Sequence, residues 1–208
     1  MPRRWSFLVN YPHLSHLDAL ASLLAGMGEQ LYGGEAISQL AHALQSGLAA
    51  EQDNASPALI TAAFLHDIGH VLAEQGHDDL ANGVNDHHEA IAVQALSALF
   101  DDDVLQPIAL HVAAKRYLCA VQPGYADSLS TASQLSLALQ GGPMTDSEAR
   151  RFAQRSHADQ ALALRRYDDL AKVVDLPTRT IEGAIGYVGE TDVRIDTSAH
   201  GQSWDNEV

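Results

Sequence analysis

Residues 57–70 read PALITAAFLHDIGH, an apolar run that leads directly into two histidines around an aspartate. Pro57 suits the first turn of a helix, because it lacks the N–H group that this turn leaves unpaired. The run from Ala58 to Leu65 has no polar face, which predicts a helix that is buried on most sides. The pattern therefore puts His66, Asp67 and His70 at the end of a core helix, where helical spacing would place both histidines on one face.

Apolar residues recur at helical spacing on both sides of this run. They predict further helices over about 14–31, 35–50, 87–100, 104–121 and 159–173. Thr145 and Glu148 have the spacing of a capping box, and Pro177 is a candidate start for the last helix. Residues 74–86 are loop-like in composition, and residues 191–208 are polar and aperiodic, as in a mobile tail. We predict an all-α fold, a helical bundle with one domain over residues 1–190 and a core over about 31–173.

The amino-acid composition indicates which partners, which cellular compartment and which kind of site to expect. The 208 residues include 12 basic and 27 acidic side chains, and the net charge of −15 argues against nucleic acid or an anionic membrane as the main partner. The chain has no apolar window long enough to cross a membrane and no convincing signal peptide. Cys119 is the only cysteine, which fits a reducing cytoplasm. Eleven histidines are unusual and point to metal.

Several of these histidines and aspartates lie at or near apolar faces of the predicted helices, where a polar group is costly unless it is hydrogen-bonded or bound to metal. The candidates are His42, His66, Asp67, His88, His111 and Asp168. The carboxylate of Asp67 has two oxygens and could bridge two ions, with His42, His66 and Asp168 on one side and His88 and His111 on the other. Imidazole with carboxylate suits iron, manganese or zinc, and the lack of thiolates argues against a structural zinc site.

The order of His42, His66-Asp67 and Asp168 resembles the H…HD…D pattern of the HD-domain superfamily, an all-α metal-binding fold. Longer strings are similar to one branch of it, the mixed-valent diiron oxygenases that cleave the carbon–phosphorus bond of 1-hydroxyphosphonates. These strings are YGGEAI at 32–37, HDIGH at 66–70, His88-Glu89, HVAAKRYL at 111–118, QGGPM at 140–144, and Arg165 with Asp168. The resemblance covers about 31–171, and HVAAKRYL and QGGPM are much more specific than the bare His-Asp pair.

The resemblance implies a site with two iron ions in a mixed-valent Fe(II)/Fe(III) state and O2 as co-substrate. One iron would be held by His42, His66, Asp67 and Asp168, and the other by Asp67, His88 and His111. Lys115 would grip the phosphonate, and the further positions around that group match His70, Ser133, Gln140 and Arg165. Tyr32 matches a tyrosine that occupies an iron position until substrate arrives. Glu35 matches a carboxylate that senses the ammonium end of the substrate.

The implied function is oxidative cleavage of a small hydroxyphosphonate to phosphate and a carboxylic acid by a monomer or weak oligomer. An upstream hydroxylase would supply the hydroxyphosphonate substrate. Members of the branch act on 2-amino-1-hydroxyethylphosphonate or on its trimethylammonium analogue, which gives glycine betaine. Residues 82–86, NGVND, lack aromatic side chains, which leaves room for a trimethylammonium group, whereas the lack of an aromatic cage counts in the other direction. We predict the trimethylammonium compound as the substrate, with the primary amine as a close alternative. An HD-domain phosphohydrolase with the same ligands is the alternative. A silent regulatory module is disfavoured because no ligand position is missing.

Overall fold

The computed structural model describes residues 14, 16–26, 35–73, 83 and 85–191. Within these ranges the chain forms helices and no β-strand, so the all-α prediction is confirmed. Tyr32, most of the loop-like segment and residues 192–208 lie outside the described residues. The helices are α1 (Leu17–Gly26), α2 (Gln39–Gln52), α3 (Pro57–Leu65), α4 (Ile68–Leu72), α5 (His88–Leu96), α6 (Asp102–Val121), α7 (Tyr125–Ser128), α8 (Thr131–Leu139), α9 (Asp146–Ala153), α10 (Ala158–Leu170) and α11 (Ile181–Glu190).

Helix α3 lies at the centre of the bundle. It begins as predicted, with Pro57 in its first turn and the side chain of Ser56 accepting a hydrogen bond from the backbone N–H of Leu59. Every residue from Leu59 to Leu65 is buried, and the helix packs against α2, α6, α10 and α11. Burial of this apolar run supplies much of the hydrophobic stabilisation of the core, and it brings the end of α3 into the middle of the protein.

Capping residues set several helix ends that apolar periodicity misplaced. Helix α2 begins later than predicted, because the side chain of Ser38 caps it by accepting from the N–H of Ala41. The last helix begins at Ile181 and not at Pro177, because Thr180 caps it in the same way. The capping box of Thr145 and Glu148 is confirmed at the start of α9. No helix in the described part of the chain has the length and apolarity that a membrane span requires.

The prediction that His66 and His70 share one helix face is wrong. Helix α3 ends at Leu65, and His66 and Asp67 form a turn before the short helix α4 begins. The two imidazoles have different partners, since Nε2 of His66 lies 3.4 Å from Asp67 and Nδ1 of His70 lies 2.6 Å from Asp86. Helix α4 then crosses the start of α5 so closely that a Cβ atom on Gly69 would lie 2.0 Å from the backbone oxygen of His88. Glycine is therefore required at position 69 for this crossing.

Candidate metal centre

Four histidines from four different parts of the chain converge in the core. His42 comes from α2, His66 follows α3, His88 begins α5 and His111 lies in α6, and all four are buried. Their Nε2 atoms meet in two pairs, 3.4 Å apart for His42 and His66 and 3.1 Å apart for His88 and His111. The neighbouring His87 is exposed, so it is His88 that faces this centre.

The other ring nitrogen of each histidine is held by an acceptor. For three of them it is a backbone carbonyl: Nδ1 lies 2.8 Å from the oxygen of Ala171 for His42, 2.8 Å from that of Ala63 for His66 and 2.7 Å from that of Ile108 for His111. A carbonyl can only accept, so Nδ1 is the protonated donor in each case. This fixes the ring orientation and leaves Nε2 as the atom that can bind a metal ion.

The carboxylate of Asp67 lies between the two histidine pairs. Its Oδ2 is 3.6 Å from Nε2 of His42 and 3.4 Å from Nε2 of His66. Its Oδ1 is 3.4 Å from Nε2 of His88 and 3.6 Å from Nε2 of His111. Each oxygen of one carboxylate thus faces a different pair of imidazoles, which is the arrangement that a bridging ligand requires.

Asp168, near the end of α10, faces only the first pair. Its Oδ1 lies 3.4 Å from Nε2 of His42, and its Oδ2 lies 3.7 Å from Nε2 of His66. Oδ1 is buried and has no hydrogen-bond partner among the described residues. A buried carboxylate oxygen in that state is costly, and a cation among the same donors would satisfy it.

Among the described residues three groups of donors could each hold a metal ion, and two of them make up this centre: His42, His66 and Asp168, and Asp67, His88 and His111. The third group, His70, Asp86 and His88, shares His88 with the second. Nitrogen and carboxylate oxygen ligands without thiolate suit iron, manganese or zinc. Burial lowers the pKa of His42 to about 4, which keeps this imidazole neutral and able to bind. Burial also disfavours the charged form of His66, but the charge and hydrogen bond of Asp67 outweigh it and raise the pKa of His66 to about 9. A metal ion bound at Nε2 of His66 would replace the proton on that nitrogen.

The fourth histidine of the centre, His88, is held by a carboxylate, that of Asp86. This role of Asp86 was not predicted from the sequence. Asp86 accepts from Nδ1 of His88 at 2.8 Å through one oxygen and from Nδ1 of His70 at 2.6 Å through the other. The rings of His70 and His88 stack with their centroids 3.9 Å apart. A carboxylate on the far nitrogen both orients an imidazole and makes it a stronger ligand. The spacing Asp86-His87-His88 is the only sequence signal for this contact.

We expect the substitution Asp86→Ala to weaken metal binding at the half of the centre that contains His88. Loss of the carboxylate that orients a metal-bound imidazole typically costs about 10–100-fold in metal affinity or activity. Titration of the metal-free protein with Fe(II), followed by measurement of bound metal, would show this loss. Asp103→Ala is the matched control, because it removes a histidine–carboxylate contact on the surface, where Oδ1 of Asp103 lies 3.1 Å from Nε2 of His157. Equal metal affinity in both variants would contradict the role of Asp86.

Lys115 lies one helical turn after His111 on α6 and is buried, with 4% of its surface exposed. Its ammonium donates a hydrogen bond of 2.8 Å to Oγ of Ser136, in α8. Burial, reinforced by the positive charge of Arg165, lowers the pKa of Lys115 to about 8. Ser136 was not predicted, although it lies one turn after Ser133 on the same helix.

Arg165 and Gln140 also have buried polar atoms. The guanidinium of Arg165 donates to Asp168 at 2.5 Å and also to Asp169, whose carboxylate accepts from the hydroxyl of Tyr125. Asp168 therefore contacts a buried cation, Arg165, in addition to the two histidines. The side-chain oxygen of Gln140 is buried and has no hydrogen-bond partner among the described residues.

Glu35 and Ser133 lie together, and both contact a lysine that was not predicted. The ammonium of Lys172 donates to Oε1 of Glu35 at 3.1 Å, to Oγ of Ser133 at 3.0 Å and to Oγ of Ser130 at 3.1 Å. The residues predicted to bind substrate, apart from Tyr32, therefore either have buried polar atoms or are hydrogen-bonded to other side chains. They are Glu35, His70, Lys115, Ser133, Gln140 and Arg165.

The fold and this centre define a class: an all-α protein whose helices enclose a buried histidine–aspartate group suited to metal. No family model matches the chain. A hydroxymethylphosphonate dioxygenase from Gimesia maris is 44% identical over 77% of this chain and 80% of its own length. A glycine-betaine-forming [1-hydroxy-2-(trimethylamino)ethyl]phosphonate dioxygenase from Leisingera caerulea is 38% identical over 78% of this chain and 83% of its own length. The chain belongs to this family of phosphonate dioxygenases, which are oxidoreductases.

Proposed function

We propose that the chain is an HD-domain dioxygenase that holds two iron ions and uses O2 to cleave the carbon–phosphorus bond of a 1-hydroxyphosphonate. The single observation that carries this proposal is the position of Asp67, whose two oxygens face two different pairs of imidazoles. Family membership supports the reaction class. The products would be phosphate and a carboxylic acid.

In this proposal the first iron is held by His42, His66, Asp67 and Asp168, and the second by Asp67, His88 and His111. The iron pair, mixed-valent Fe(II)/Fe(III) when bound, would supply the redox chemistry that O2 requires. The protein holds each imidazole by its Nδ1 atom, so the donors are oriented before any metal binds.

The remaining residues would bind and orient the substrate. A phosphonate dianion in a buried site needs fixed positive charge, and Lys115 supplies an ammonium that Ser136 already holds in place. Arg165 adds a second buried cation, and Gln140 offers an amide whose oxygen lacks a partner within the described ranges. Ser133 and His70 would complete the phosphonate site. Tyr32, outside the described residues, stays a predicted occupant of an iron position before substrate arrives.

Two substrates are supported by the relatives. The trimethylammonium compound predicted from the sequence is the substrate in the name of the relative from Leisingera caerulea. In this chain Glu35 would bind the trimethylammonium group of that compound. Hydroxymethylphosphonate is named for the relative from Gimesia maris; with one O2 it would give formate and phosphate. The primary amine, 2-amino-1-hydroxyethylphosphonate, stays a third candidate.

The proposal is tested by incubating the iron-loaded protein with each of the three compounds and measuring O2 uptake and phosphate together. We expect one phosphate for each O2 consumed, and a mixed-valent iron signal in electron paramagnetic resonance. The phosphohydrolase alternative uses the same donors but needs no O2. Phosphate release from a phosphate ester without O2, combined with no O2 uptake on any hydroxyphosphonate, would contradict the dioxygenase proposal.

Three further properties belong to the same proposal. The domain would extend over residues 1–190 as a monomer or weak oligomer. The reducing cytoplasm is the proposed location, in keeping with a single cysteine. Because the substrate carries a hydroxyl on the carbon bonded to phosphorus, a hydroxylase acting upstream would supply it.

A further inference from the structure

The chain has only two lysines, and both contact the same face of α8. Lys115 donates to Ser136 at 2.8 Å, and Lys172 donates to Ser133 at 3.0 Å. Ser133 and Ser136 are three residues apart, and positions with that spacing are neighbours on a helix surface, with Cβ atoms about 5–6 Å apart. Lys172 and the lysine that would bind the phosphonate therefore contact neighbouring positions on one face of α8.

Lys172 is the counter-ion of Glu35. The two side chains are only 15% and 16% exposed, and the ammonium lies 3.1 Å from the carboxylate. Burial alone would raise the pKa of Glu35, but hydrogen bonds with Ser130 and Lys172 and the charge of Lys172 lower it below its usual value. Glu35 is thus ionised, and its charge is compensated within the protein.

The backbone on both sides of Lys172 is fixed to α2. The carbonyl of Ala171 accepts from Nδ1 of His42 at 2.8 Å. The amide of Gln45 accepts from the N–H of Val173 at 3.0 Å and donates to the carbonyl of Val173 at 2.7 Å. The backbone of Lys172 is therefore held in place on both sides. The hydrogen bonds of its ammonium with Glu35, Ser130 and Ser133 then hold the side chain beside Glu35.

We propose that Lys172 is a specificity-determining residue, whose ammonium occupies the place beside Glu35 that a cationic group of a substrate would need. The inference rests on the proposed function. A substrate with an ammonium or trimethylammonium group must displace Lys172 from Glu35, or bring a second cation to a carboxylate that is already compensated. Hydroxymethylphosphonate carries no cation and binds with the pair intact. Lys172 therefore disfavours cationic hydroxyphosphonates relative to hydroxymethylphosphonate.

The test is the ratio of kcat/KM for the trimethylammonium compound to kcat/KM for hydroxymethylphosphonate. We expect Lys172→Met and Lys172→Gln to raise this ratio on the order of 10-fold or more, because like-charge repulsion at the binding site is removed. Glutamine keeps a donor for Ser130 and Ser133, so it provides a readout if the methionine variant does not fold. Lys172→Arg keeps the charge and should leave the ratio near that of the wild type. Arg179→Met, which removes a cation from the exposed pair with Glu51, is the matched control.

The double variant Lys172→Met with Glu35→Gln tests whether the effect passes through Glu35. The rise in the ratio should disappear, since no carboxylate then remains to attract the substrate cation. Calorimetric binding of both phosphonates without O2 should show the same shifts in affinity. An unchanged ratio in both Lys172→Met and Lys172→Gln, with equal losses for both compounds, would overturn the inference. Failure of the wild type to turn over any hydroxyphosphonate would instead contradict the proposed function, and the ratio of the two binding constants would still decide the role of Lys172.

Discussion

Replacing Asp67 with alanine should remove both ions of the proposed iron pair and abolish turnover of hydroxyphosphonates. Among the described residues, Asp67 is the one whose oxygens face both histidine pairs, at 3.4–3.6 Å from all four Nε2 atoms. Removing even the partner of a metal-bound histidine costs about 10–100-fold, so loss of a shared ligand should reduce activity by at least about 100-fold. Metal content per chain, measured after iron loading and desalting, should fall from about two to well below one.

Asp168→Ala provides the comparison within the same centre. Of the four histidines of the centre, its carboxylate contacts only His42 and His66, so this variant should lose the first ion and retain more of the second. A graded result, with metal content lower for Asp67→Ala than for Asp168→Ala, follows directly from the bridging position. If the Asp67 variant kept two ions per chain, Asp67 would not bridge them, and the two-iron proposal would lose its main support.

The parts of the fold that could be predicted from the sequence depend on local patterns. The uninterrupted run before His66 predicted a buried helix, and α3 is buried from Leu59 to Leu65. The ends of helices were less accurate, because one capping side chain outweighs the periodicity of several apolar residues. Ser38 and Thr180 illustrate this, since each accepts from a backbone N–H three residues later and thereby sets the first turn.

The candidate metal centre was predictable because its residue types are unusual at apolar positions, and all six residues meet in the structure. The turn at His66 and Asp67 was not predictable from spacing, since HDIGH continues the helical spacing and its glycine, Gly69, lies inside α4 and not at the turn. The turn allows α4 to cross α5 closely at Gly69, where a Cβ atom would meet the backbone of His88. With this turn, His66 contacts the metal centre and His70 contacts Asp86.

Residues that act through long-range contacts were missed for a different reason. Lys172 lies 137 positions from Glu35 along the chain, and nothing near either residue indicates that they pair. Ser136 and Asp86 are equally ordinary in their local sequence. Such contacts are fixed by how helices pack, and only the folded structure reveals that both lysines lie against one helix, α8.

Replacing Lys115 with methionine should weaken binding of the phosphonate while leaving the metal content unchanged. The substitution keeps an apolar stem of similar length in a buried position and deletes only the charge. A charge-assisted hydrogen bond contributes about 1.5–3 kcal/mol, which corresponds to roughly 10–150-fold in the dissociation constant. Calorimetric titration with hydroxymethylphosphonate in the absence of O2 would measure this loss. Arg179→Met should bind normally, and a Lys115 variant that also bound normally would remove Lys115 from the substrate site.

The pH dependence of the wild type separates the charge of Lys115 from its bulk. Burial lowers the pKa of Lys115 to about 8, so the ammonium is protonated below that pH and loses its charge as the pH rises through it. Since kcat/KM reports the protonation state of the free enzyme, it should decline above about pH 8 in the wild type. The methionine variant has no proton to lose at this position, so its low kcat/KM should show no such decline. A decline of the same size in both proteins would assign the titration to another group and leave Lys115 with a packing role only.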